Sequence, residues 1–118
     1  MARGDHLIVP LVCGTTHHGI DVGDGTVIHW SGIWRSVEDT VQDQLFAKQN
    51  GMIRQESLDE FAKGLMVSVR DYQEARSPDE VVERAQSRLG EKGYDLTRNN
   101  CEHFACWCKT DRHHSAQV

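Results

Sequence analysis

Three residues, Gly23-Asp24-Gly25, constrain this chain more tightly than any other stretch. They separate two extended runs, His17-His18-Gly19-Ile20-Asp21-Val22 and Thr26-Val27-Ile28-His29-Trp30, and a Gly-Asp-Gly turn between such runs is a strong β-hairpin signal. Side chains alternate along a strand, so the turn decides which histidines can cooperate. A two-residue Asp24-Gly25 turn pairs Gly23 with Thr26 and puts His29 on the face of His18 and Ile20. A three-residue loop pairs Val22 with Thr26 and puts His29 with His17, Gly19 and Asp21. The second register leaves His18, Ile20, Val22, Ile28 and Trp30 on a mostly apolar opposite face, which is the better burial pattern. His17 and His29 are therefore the predicted functional pair, with His18 in reserve.

The second constraint lies about 80 residues downstream, in Asn99-Asn100-Cys101-Glu102-His103-Phe104. Asn99 reads as a helix N-cap, with Glu102 three positions later as the reciprocal carboxylate of a capping box. Cys101 then sits in the first turn, among unpaired backbone N–H groups at the positive end of the helix dipole. That setting favours thiolate over thiol and offers donors to a developing oxyanion. Asn100 belongs to the same supporting turn. The competing reading of Cys101 is a buried structural thiol. His103 lies two positions from Cys101, where helical side chains do not face each other, and reads as structural.

The remaining segments fill in around these two. Residues 5–12 read as a strand in which Pro10 marks an edge or an end. Residues 33–50 carry Trp34, Val37, Val41 and Leu45 at helical steps, either a covering helix or a variable lid beside the site with Trp34 and Phe46 turned to lipid. Met52 to Gln55 reads as a short strand. Ser57-Leu58-Asp59-Glu60 opens a two-turn helix that Gly64 ends, and Leu65, Val67 and Val69 alternate as the aliphatic side of another strand. Ser77-Pro78-Asp79-Glu80 starts a helix with Val82, Ala85 and Leu89 inward, Arg84 and Arg88 outward, and Gly90 or Gly93 as its stop. The tail from Asp111 reads as disordered. Strands and helices are largely segregated, which makes the chain an α+β domain spanning residues 1–118.

Composition narrows the function. The net charge is −5 with basic residues scattered, which argues against nucleic-acid binding. No signal peptide or stretch of about 20 apolar residues is visible, so the expectation is a cytoplasmic protein with at most peripheral membrane contact. Four cysteines are then expected as thiols. Cys101, Cys106, Cys108, His103, His113 and His114 invite a zinc reading. Cys106 and Cys108 diverge by about 200° on a helix, however, and no paired Cys-x2-Cys or His-x3-His motif accompanies them. Neither metal nor cofactor is expected.

The histidine hairpin together with Asn-Asn-Cys101-Glu-His-Phe resembles the lecithin:retinol acyltransferase-like family, over nearly the whole chain. The resemblance implies a circularly permuted papain-like fold with the cysteine at the start of a C-terminal helix. It implies Cys101 as nucleophile, His17 as base and His29 as the residue that orients His17. It also implies an acyl group taken from a phospholipid-type ester through a Cys101 thioester and passed to water or another acceptor. An aromatic residue is common in the family where this chain has Asp21. A carboxylate there either holds His17 protonated or is solvated. The alternative functions are a thiol peptidase or amidase on the same residues, and a non-catalytic binding domain.

Overall fold

The computed structural model describes residues 1–10, 16–32, 51–93 and 100–110. Five antiparallel strands form one sheet: β1 (His6–Pro10), β2 (Thr16–Asp21), β3 (Thr26–Ser31), β4 (Met52–Ser57) and β5 (Ser68–Arg70), in the order β4-β3-β2-β1-β5. Three helices pack on it: α1 (Leu58–Ala62), α2 (Pro78–Ser87) and α3 (Cys101–Thr110). This is the expected α+β architecture, and Cys101 opens its last helix. Among the described residues no helix is long and apolar enough to cross a membrane.

The hairpin adopts the three-residue loop. Asp21 pairs with Val27 and Ile20 with Ile28, while the Val22 N–H donates to the Thr26 carbonyl at 3.0 Å. Gly23 and Gly25 take φ of 97° and 87°, which side-chain-bearing residues rarely tolerate. Alternation then splits the sheet. On one face Ile20, Val22, Ile28, Trp30 and Ile53 meet Val81, Val82 and Ala85 of α2 and Phe104, Ala105 and Cys108 of α3. On the other, Leu7, Val9 and Val27 meet Phe61 and Ala62 of α1. Phe61 is fully buried, a contribution on the order of 2–3 kcal/mol.

Local signals account for most element ends. Ser57 and Ser77 cap α1 and α2 by accepting from the N–H groups of Glu60 and Glu80 at 3.1 and 3.3 Å. Pro10 closes β1, which is an interior strand. Three expectations need correction. The strand predicted across Leu65–Val69 is only Ser68–Arg70; Leu65 and Val67 pack against the core that holds Leu7, Val27 and Phe61 before the ladder begins, and Val69 is left on an exposed edge. Leu89 lies beyond the end of α2 and is exposed, so Val81 takes the third buried position. Neither Arg84 nor Arg88 points away: the Arg84 guanidinium lies 3.8 Å over the Trp107 ring and donates to the Trp107 carbonyl, and that of Arg88 lies 5.3 Å over the Phe104 ring. The expectations for the 33–50 lid and the tail from Asp111 lie outside the described residues.

Candidate active site

The hairpin register brings His17 and His29 together on the α1 face. His17 Nε2 and His29 Nδ1 are 2.9 Å apart, and His29 Nε2 is 2.9 Å from Glu56 Oε1. Phe61 packs against both imidazoles, with ring centroids 5.1 Å from each. His17 is fully buried. Burial, reinforced by His29, His18 and Lys63, holds its pKa well below the usual imidazole value, so it rests neutral and able to accept a proton. The hydrogen bond from His29 holds the Glu56 carboxyl down at about 2, against the opposing effect of burial.

Cys101 reaches the same strand from α3. Its thiol points at the Thr16 carbonyl, 3.8 Å away, and the His18 backbone N–H hydrogen-bonds the sulfur. The sulfur therefore touches β2 on either side of His17. The helix start is shifted by one residue from expectation. Asn100 is the cap: its Oδ1 accepts from the His103 N–H at 2.9 Å, and its own N–H donates to His103 Nδ1 at 3.5 Å. His103 thus fills the role predicted for Glu102, and Asn99 lies outside the described residues. Glu102 is instead buried and accepts from Arg70 at 2.7 Å.

The thiol does not rest as a thiolate. Burial pushes Cys101 up to about 12; the N–H groups of His18, Cys101 and Glu102 pull the other way, and the Glu102 carboxylate adds to the rise. Desolvation of the anion outweighs the helix terminus, which corrects the expectation drawn from the helix dipole alone.

His18 and Asp21 serve other ends. Both ring nitrogens of His18 are engaged on the α3 face, Nδ1 with His6 Nε2 at 2.7 Å and Nε2 with Thr16 Oγ1 at 2.6 Å. His6 in turn meets the Tyr72 hydroxyl at 2.8 Å. Burial lowers His6 to about 2 and His18 to about 4, with Glu102 partly offsetting the shift at His18. Asp21 accepts from the Gly23 N–H at 2.7 Å and so braces the turn. Its side chain is largely buried.

The family model described as lecithin retinol acyltransferase matches residues 1–114. The chain belongs to the lecithin retinol acyltransferase family. It is similar to the human and bovine proteins of that name, at 31% identity over 124 aligned positions in each. These alignments cover 91% of this chain and 54% of each relative, so the chain spans about half their length. The rat protein is 30% identical over the same share of this chain.

Glu56 is the site residue that this family member's sequence did not announce. The strand that carries it was legible only as far as Gln55. Val27 pairs with Glu56 and His29 with Arg54, which makes Glu56 a diagonal neighbour of His29 on one face. That register is a matter of how β3 and β4 pair, which hydrophobic alternation alone does not specify. The packing around the pair is also tight. A Cβ added at Gly19 would lie 2.6 Å from Val27 Cγ1, 2.8 Å from Phe61 Cε1 and 3.1 Å from the His29 Cβ. Gly19→Ala is therefore expected to destabilise the fold by roughly 1–3 kcal/mol, the range for overpacking, in urea unfolding. Wild-type stability would mean that Phe61 and His29 shift without cost.

Proposed function

We propose that this chain is a cysteine acyltransferase that acts on phospholipid-type acyl esters through a Cys101 thioester, in the reducing cytoplasm. One observation carries the reading: the Cys101 sulfur is hydrogen-bonded to β2 beside His17, whose Nε2 is held by His29. Family membership supports acyl transfer as the reaction class. Papain-like chemistry in permuted order supplies the roles.

Both partners rest neutral, so the sulfur becomes nucleophilic as it loses its proton to His17 Nδ1. The Sγ attacks the ester carbonyl, and the tetrahedral oxyanion is met by N–H groups at the start of α3. Collapse breaks the carbon–oxygen bond; His17 gives its proton to the departing alkoxide, and the acyl group remains on Cys101. Water or a second alcohol or amine, deprotonated by His17, then releases the acyl group. His29 keeps His17 oriented and sets the tautomer of its neutral form, as the third residue of such triads does.

Intact-mass analysis after incubation with short-chain phosphatidylcholine tests this. Wild type is expected to gain one acyl mass that is absent from Cys101→Ala and His17→Ala. An adduct that persists in Cys101→Ala, or none on wild type with any acyl ester tried, removes the thioester.

A further inference from the structure

The buried histidine pair does not end at His29. Beyond it, on β4, the Glu56 carboxylate lies 2.9 Å from His29 Nε2, and the chemistry proposed above makes no use of it. We propose that Glu56 is a positioning residue of the site, fixing through His29 which nitrogen of His17 receives the thiol proton. This rests on the reading of Cys101 and His17 as nucleophile and base.

The argument follows the protons. A carboxylate only accepts, so the 2.9 Å contact requires the proton of His29 on Nε2. With a single ring proton, on Nε2, His29 presents a lone pair at Nδ1. The 2.9 Å contact from that atom to His17 Nε2 requires the His17 proton on Nε2 in turn. His17 Nδ1 is left as the basic nitrogen, the one nearer its own backbone, where the Cys101 sulfur is bonded to the strand. Without Glu56, His29 can reverse, with Nδ1 as donor, and His17 reverses with it. When His17 takes the thiol proton, the resulting imidazolium also gains a carboxylate beyond His29, one whose partly exposed side chain water partly screens. The surroundings make Glu56 the group suited to this part. The Ser31 hydroxyl donates to it and the Arg54 charge lies near it, which keeps it ionised. Phe61 blocks the rings from turning out, and Lys63 and His18, the other titratable groups acting on His17, both disfavour its protonation.

The test compares wild type, Glu56→Gln and Glu56→Leu by long-range proton–nitrogen spectra of nitrogen-15-labelled histidine, with turnover of short-chain phosphatidylcholine alongside. In wild type both His17 and His29 are expected as Nε2–H tautomers. The glutamine amide oxygen can still accept, so Glu56→Gln keeps the tautomers but loses the charge. Its turnover falls, and the acid limb of kcat/KM moves to lower pH because the imidazolium has lost its anion. Glu56→Leu is expected to scramble the tautomers and lower kcat by on the order of 10–100-fold, the scale for losing an outer hydrogen-bond partner, with KM within about twofold. Unchanged tautomers in Glu56→Leu overturn the proposal whatever the turnover. Absence of an acyl adduct on wild type would instead remove the thioester reading, and the histidine spectra would still decide the role of Glu56.

Discussion

Asparagine in place of His17 is expected to slow acylation of Cys101 by on the order of a thousandfold, within the range that a positioned general base supplies. The expectation follows from two findings taken together. The Cys101 thiol is pushed up to about 12 by burial, so almost no thiolate exists at neutral pH without help. His17 is fully buried and held neutral, next to the stretch of β2 that the sulfur touches. Single-turnover acylation followed by intact mass measures the step directly. His18→Phe is the matched control, because both ring nitrogens of His18 are already engaged, with His6 and Thr16. That variant is expected to lose stability yet keep acylation within about tenfold. Equal losses in the two variants, with both folded, would transfer the base assignment to His18.

The second large effect is on stability against pH. His6, His17 and His18 are buried, and burial depresses all three pKa values below the unfolded value near 6.5. Their neutral rings are fully compatible with the fold above that value. As pH falls below it, the unfolded chain takes up protons that the folded rings refuse, so stability drops. Between pH 7 and 5.5 each ring costs about 1 kcal/mol, or roughly 3–4 kcal/mol together. Glu56 does not contribute in this window. Its folded pKa of about 2 keeps its stabilisation intact until the pH falls below the unfolded carboxylate value of about 4.5. Urea unfolding at the two pH values measures the difference. A flat result would mean that the three rings are not held neutral in the folded state.

What was legible in the sequence had a local cause. The hairpin register followed from where the glycines stand and which face would be apolar, and both helix starts at Ser57 and Ser77 followed from capping chemistry. Errors arose where two residues compete for one role. Asn99 and Asn100 are both good caps, and Asn100 caps α3 because its side chain reaches His103. Hydrophobic spacing could not show that the chain turns before Leu89, or that β5 is only three residues long. The state of the thiol departs from the sequence expectation for a different reason. A helix terminus can be read from sequence, whereas the desolvation that opposes it depends on how many elements converge on the sulfur. The contact between Glu56 and His29 similarly needs the β3–β4 register.

The resting protonation of Cys101 bears on durability as well as rate. Peroxide and most alkylating reagents attack sulfur as the anion, and a protonated sulfur under the cover of a strand gives them little to find. Under the acyl-transfer chemistry proposed above, reactivity is then withheld until an ester carbonyl arrives to take up the electron pair. A nucleophile stored in that form trades some intrinsic speed for survival between encounters with its acyl donor.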